Sequence, residues 1–215
     1  MTDYEKARIT MVDNQIRTTD VTSYSVLKAF LAVPREAFVP DAVKPLAYID
    51  NDIEVAPGRY IVAASPLAKL LQMATITRDD AVLEIGCCTG YTAALLSHLA
   101  GGVATIDSDA TLAEQAKTTL AGYDNVVVAT GDMAKGYSDE APYDIIFISG
   151  AVEEVPATLF DQLRDGGRLI AVVGHGTAAF ATLFTKESGG VSATPQFNSS
   201  IPALPGFTKA KEFVF

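Results

Sequence analysis

Apolar residues change rhythm near residue 80. Before it they recur at roughly helical spacing; after it they come in short unbroken runs separated by helical stretches. From Tyr4 to Arg17, the residues Ala7, Ile9, Met11, Val12 and Ile16 form a helical stripe. Thr22 is placed to cap a second helix with Val26, Leu27, Phe30 and Leu31 on one face, and Pro34 ends it. Phe38-Val39-Pro40 and Ala42 to Tyr48 continue a compact extension, and Pro57-Gly58 marks a turn. Ser65 is placed to cap a third helix, Leu67 to Ala74, with Pro66 in its first turn. The first 75 or so residues thus read as helices and loops.

Beyond residue 80 the expected strands are Ala81–Ile85, Val103–Ile106, Asn125–Ala129, Tyr143–Ile148 and Arg168–Val173. Helical stretches at Tyr91–Leu99, Leu112–Leu120 and Pro156–Leu163 fall between them. The run Asp144-Ile145-Ile146-Phe147-Ile148 is nearly all apolar, as a strand buried on both faces of a parallel sheet must be. Phe180–Lys186 and Gly190–Phe197 suit a terminal hairpin. A loop rich in proline (Pro202, Pro205, Gly206) then leads to Glu212–Phe215, which reads as a last edge strand. Strands alternating with helices imply an α/β fold: a Rossmann-like, doubly wound, mostly parallel sheet. Residues 1–78 read as a helical extension packed on an α/β unit of residues 79–215.

Ligands of such sheets sit outside the carboxyl ends of the strands. The positions of interest are therefore Glu84 to Gly90, Asp107-Ser108, Asp132-Met133 and Ser149-Gly150. Ala81 to Tyr91 reads strand, tight loop, helix, with Gly86 and Gly90 bracketing Cys87, Cys88 and Thr89. Asp107 closes the second strand 23 residues after Glu84, and an acid at that spacing accepts hydrogen bonds from ribose hydroxyls. Asp132 follows the third strand, where it can accept from an adenine amino group. A dinucleotide site would read G-x-G-x-x-G to admit a pyrophosphate. Here the glycines are Gly86 and Gly90, with Glu84 just ahead of them. An acid in that position suits a cationic ligand without phosphate. S-adenosylmethionine, with its ammonium, sulfonium, ribose and adenine, fits the pattern through charge-assisted hydrogen bonds.

Composition narrows the partners. Hydrophobic residues make up 49% of 215, enough for a full core, and no run of about 18 apolar residues suggests a membrane span. The N-terminus, M-T-D-Y-E-K-A-R, lacks a signal peptide's apolar stretch, so the expected compartment is the cytoplasm. A net charge of −10 with scattered Lys and Arg argues against nucleic acid as a partner. The two cysteines are adjacent, show no metal-ligand spacing and fit a reducing compartment.

Over most of its length the chain resembles the protein-L-isoaspartate O-methyltransferase family. The matching stretches are Asn14-Gln15-Ile16-Arg17, Val33-Pro34-Arg35-Glu36-Ala37-Phe38-Val39-Pro40, Ala47-Tyr48-Ile49-Asp50 and Val82-Leu83-Glu84-Ile85-Gly86 with Thr89-Gly90-Tyr91. Gly131-Asp132, Pro142-Tyr143-Asp144 and Gln162-Leu163 with Gly166-Gly167-Arg168-Leu169 follow in the family's order. The segment V-P-R-E-x-F-V-P is the most specific; the tail after about Gly174 matches weakly.

The resemblance implies a seven-stranded sheet with one antiparallel strand near its edge. It implies S-adenosylmethionine as cofactor and an isoaspartyl carboxylate on a protein or peptide as acceptor. Glu84 and the loop Gly86, Cys88, Thr89, Gly90 and Tyr91 would hold the methionine end. Asp107 with Ser108 would hold the ribose, and Asp132 with Met133 would flank the adenine. Three features depart from the family pattern. Cys88 replaces the middle glycine of G-x-G-x-G, and Asp107 replaces a glutamate. An ungapped count places Val62 and Ala64 where the family carries a serine and a proline of its acceptor motif. The last departure leaves open a methyltransferase with another acceptor, and Cys88 leaves open a relative that has lost the cofactor.

Methyl transfer to a carboxylate needs alignment and exclusion of water rather than a general base, because the acceptor is already ionised. No catalytic residue is therefore required by the chemistry. The candidates are Ser65, near the displaced motif or simply a helix cap; Ser149, at the fourth strand's end; and His175, after the fifth strand. His98 lies in an apolar helical stretch and reads as packing.

Overall fold

The computed structural model describes residues 3–209. The N-terminal third contains helix α1 (Tyr4–Met11), helix α2 (Tyr24–Ala32), strands β1 (Ile53–Ala56) and β2 (Arg59–Ile61), and helix α3 (Ala64–Met73). The α/β part then runs β3 (Ala81–Ile85), α4 (Tyr91–Ser97), β4 (Gly102–Asp107), α5 (Ala110–Thr119), β5 (Val126–Thr130), β6 (Tyr143–Val152), α6 (Ala157–Asp161), β7 (Leu163–Val173), β8 (Phe180–Glu187) and β9 (Gly190–Asn198). The last seven strands form one sheet in the order β5-β4-β3-β6-β7-β8-β9. Pairing is parallel from β5 through β7, and β8 runs antiparallel to both β7 and β9. The expected doubly wound sheet and terminal hairpin are both present. The expected strand Glu212–Phe215 lies outside the described residues.

Alternation along each strand builds two buried layers, as the period of two requires. Val82, Ile145, Phe147, Ile170 and Val172 face one way and join a core that extends to Met11, Phe30, Leu71 and Leu95. Leu83, Ile85, Ile146, Ile148 and Leu169 face the other way, against Leu159, Leu204 and Phe207. The N-terminal helices and α4 thus cover one face, while α6 and the chain after β9 cover the other.

The N-terminal third departs from its sequence pattern in four places. The expected helix Tyr4–Arg17 ends at Met11 and continues as a wider turn over Val12–Ile16 and a tighter one over Arg17–Thr19. Thr22 does not cap α2. The backbone N–H groups of Thr22 and Ser23 both donate to Gln72 Oε1 at 2.8 Å, so a side chain on α3 satisfies that helix start. Ser65 does not cap α3, which begins one residue earlier at Ala64; its hydroxyl donates to Thr19 Oγ1 at 3.2 Å. The turn at Pro57-Gly58 closes a two-stranded hairpin, β1–β2, where loop was expected.

Candidate functional site

The loop after β3 is shaped by its backbone. Gly86, Cys88 and Gly90 take φ of 92°, 51° and 96°. Glycine adopts these values freely, whereas at Cys88 the left-handed conformation costs about 1–2 kcal/mol. Gly86 N–H donates to Ile106 O at 2.8 Å and Gly90 N–H to Cys87 O at 2.7 Å, which folds the loop against the end of β4. Thr89 Oγ1 donates to Phe38 O at 2.6 Å, tying the loop to the V-P-R-E-x-F-V-P segment. From that segment the buried Arg35 guanidinium lies 4.8 Å from the centroid of the buried Tyr91 ring, and Phe38 packs edge-on to the same ring.

Two acids stand at neighbouring strand ends. Glu84 is fully buried; its carboxylate accepts from Thr105 Oγ1 at 2.6 Å and Ser149 Oγ at 2.7 Å. Burial pushes its carboxyl up to about 7, against those two hydrogen bonds, which favour the charged form. Asp107, also fully buried, takes a forked ion pair from Arg59, with Nη1 at 2.7 Å from Oδ1 and Nη2 on Oδ2. Cys88 N–H donates to Asp107 Oδ2 at 2.9 Å and Asp109 N–H to Oδ1 at 3.0 Å. Burial raises the Cys88 thiol to about 12 and the Cys87 thiol further, so neither supplies a thiolate nucleophile.

The other sequence-predicted residues are dispersed. Ser149 is the exception: it lines the site itself, beside Glu84. Met133 is buried in the sheet's second layer, and Asp132 caps its own turn by accepting from Ala134 N–H at 3.0 Å. Ser108 is exposed beside Asp107. His175 lies outside the cluster, its Nε2 2.9 Å from Glu153 Oε1 in an exposed pair. Ser65 lines a separate surface recess with Thr19, Lys69 and Phe197. Sequence reasoning missed Arg59, Thr105 and Leu204. The turn at Pro57-Gly58 was the one available signal for Arg59.

The space between these groups is nearly filled. Beyond β9 the chain returns across β6: Ala151 N–H donates to Pro202 O and Leu204 N–H to Ala151 O, each at 2.8 Å. This lays Leu204 on the two glycines at the strand ends. A Cβ at Gly86 would lie 2.8 Å from Leu204 Cδ1, and one at Gly150 would lie 2.8 Å from Leu204 Cβ. Two cavities of about 10 Å³ each remain among Arg59, Tyr60, Val62, Gly86, Cys88 and Ser149, room for about one water apiece.

A model of the family described as protein-L-isoaspartate(D-aspartate) O-methyltransferase matches residues 6–200. The chain belongs to that family. A protein-L-isoaspartate O-methyltransferase from Opitutus terrae is 40% identical over 217 residues, covering 97% of this chain and 91% of that one. One from Koribacter versatilis is 38% identical over 196 residues, covering 90% and 88%. Among solved structures, a protein-L-isoaspartate O-methyltransferase superposes with a TM-score of 0.80 at 28% identity, over 93% of this chain and 66% of that one. A Plasmodium falciparum protein in complex with S-adenosyl-L-homocysteine shares the fold, with a TM-score of 0.79 at 16% identity. The cofactor of this methyltransferase family is S-adenosylmethionine. The acceptor set here fits it: buried carboxylates at two adjacent strand ends, with a glycine loop between them. The groups that fill the space are the Arg59 side chain and the segment Pro202-Ala203-Leu204, whose main chain is bonded to Ala151.

Proposed function

We propose that this protein is an S-adenosylmethionine-dependent carboxyl methyltransferase of the cytoplasm, acting on L-isoaspartyl residues of damaged proteins. Residues 79–215 would hold the cofactor, and residues 1–78 would supply the acceptor side. The observation that carries the reading is the pair Glu84 and Asp107 on either side of the Gly86–Gly90 loop, in a chain whose family match runs nearly end to end. Glu84 and the loop would hold the methionine end. Asp107 would take the ribose, and Asp132 and Met133 would lie toward the adenine.

When bound, S-adenosylmethionine supplies a methyl activated by the sulfonium: a carboxylate oxygen takes the methyl as the carbon–sulfur electron pair returns to sulfur. The acceptor loses one negative charge and no proton moves, so the site needs no base. That agrees with a cavity wall whose polar groups are spent on one another. The chain's own contribution is orientation and exclusion of water by Tyr60, Val62 and Leu204.

A second reading keeps the chemistry and changes the acceptor, because the buried Val62 offers no hydroxyl where the family resemblance calls for one. Transfer of tritiated methyl from S-adenosylmethionine to an isoaspartyl peptide, with the matching aspartyl peptide as control, separates the two. The expected result is incorporation into the isoaspartyl peptide alone. Incorporation into neither peptide overturns the isoaspartyl assignment.

A further inference from the structure

We infer that Arg59 is the acceptor-recognition residue: it holds Asp107 while the cofactor site is closed and receives the acceptor's carboxylate once the ribose has taken Asp107. The inference rests on the carboxyl-methyltransferase reading. Its first support is a count. A carboxylate offers about four acceptor positions, and Asp107 already has four donors. A ribose diol brings two donors of its own, so two present ones must leave. Those of Cys88 and Asp109 are backbone N–H groups, one in the glycine loop and the other at the start of α5. Arg59's two belong to a side chain on a small hairpin outside the main sheet, and they are the pair that can go.

The second support is what becomes of the released cation. Arg59 is 7% exposed, and among the described residues it is the one cationic side chain lining either small cavity. A guanidinium left there without an anion is strongly unfavourable. The neighbouring Glu84 already accepts from Thr105 and Ser149, and on the cofactor reading its remaining acceptor positions go to the ammonium of the methionine end. The reaction brings two anions: the cofactor's own carboxylate, which goes with its methionine end toward Glu84 and the loop, and the acceptor carboxylate, which is the one left for Arg59. A guanidinium fork uses two of a carboxylate's four acceptor positions, which leaves a lone pair free to form the carbon–oxygen bond.

The third support is placement. The hairpin that carries Arg59 leads directly into Val62 and Ala64, the two positions that depart from the family's acceptor motif. Recognition that a hydroxyl would have supplied passes to a charge three residues earlier on the same segment. One consequence is an order of binding, with cofactor before acceptor.

Full-length Arg59→Gln and Arg59→Lys, compared with the unaltered protein, test this. Calorimetry with S-adenosyl-L-homocysteine reads the cofactor side, and steady-state methylation of an isoaspartyl peptide reads the acceptor side. Expected for Arg59→Gln are product affinity equal to or tighter than the unaltered protein and a peptide KM raised about tenfold or more, the loss of a charged hydrogen-bond pair. Its kcat should change less than its KM, and Arg59→Lys should recover part of the KM. Should Arg59→Gln fail to fold, Arg59→Lys, which keeps the charge and loses the fork, is expected to raise KM several-fold. Weaker product binding with an unchanged peptide KM overturns the inference and leaves the methyltransferase reading standing. An unaltered protein that binds the product and methylates no isoaspartyl peptide removes the isoaspartyl assignment, and the inference with it.

Discussion

Two segments reach Asp107, the Gly86–Gly90 loop and the β1–β2 hairpin, and they do so by different means. The loop uses its main chain: left-handed residues at Gly86, Cys88 and Gly90 turn the Cys88 N–H toward the carboxylate. The hairpin uses a side chain, the Arg59 fork. A backbone contact survives a change of side chain, which is why Cys88 can occupy a glycine position and still donate. A side-chain contact is lost with its residue and can be exchanged for another. On the proposed reading, the fixed half of the site would serve the cofactor and the exchangeable half the acceptor.

The sharpest test removes the group on which both segments converge. Asp107→Asn leaves Arg59 buried beside a neutral amide. Breaking a buried pair in this way costs about 3–5 kcal/mol, measurable by denaturant unfolding with S-adenosyl-L-homocysteine absent. Arg59→Gln should cost less, because Asp107 keeps the Cys88 and Asp109 N–H groups. Equal losses from the two substitutions would abolish the distinction between a fixed and an exchangeable half.

The same contrast governs what could be read from the sequence. The unbroken runs of β3 and β6 and the glycines around the loop announce themselves, because burial on both faces and left-handed backbone each leave a mark on residue type. Glu84 and Asp107 were legible as strand-end acids. Strands of four and three residues, as in β1 and β2, are too short to show a period, so the hairpin was read as loop. Arg59 looked like any arginine after a turn, and only the fold brings it to a partner 48 residues away. Caps failed for a related reason. Thr22 and Ser65 have the right chemistry in the right place, but Gln72, 50 residues from Thr22, does the work at α2. Long-range side-chain pairing leaves no local signal.

Glu84 gives a prediction of intermediate size. Its carboxyl rises from 4.5 to about 7 by burial, while the nearby Asp107 and Arg59 act on it in opposite senses. Because the folded value lies above the unfolded one, Glu84's contribution to stability is complete below about pH 4.5 and is lost as pH rises through about 7. Relative to the unaltered protein, Glu84→Gln should therefore gain up to about 3 kcal/mol between pH 5 and pH 8, read by denaturant unfolding at both. Affinity for S-adenosyl-L-homocysteine should rise with pH across this range in the unaltered protein, since its ammonium favours the ionised carboxylate. In Glu84→Gln that rise should disappear. A slope that persists would assign the titration to another group and remove Glu84 from the methionine end.

The smallest expected effect lies in the loop itself. Cys88 has φ 51°, and replacing it with glycine removes a left-handed strain of about 1–2 kcal/mol. The same change gives up a buried thiol, worth about 1 kcal/mol of transfer, and frees the unfolded backbone by up to about 1 kcal/mol. These terms nearly cancel, so Cys88→Gly should move stability by less than about 1 kcal/mol. The Cys88 N–H to Asp107 bond depends on the loop's path rather than on the thiol, and glycine follows that path with less strain. Product affinity should therefore be unchanged or improved, as calorimetry would show. A tenfold loss would mean that the sulfur, rather than the backbone, shapes this wall of the site, and the loop would then belong with the hairpin as a side-chain device.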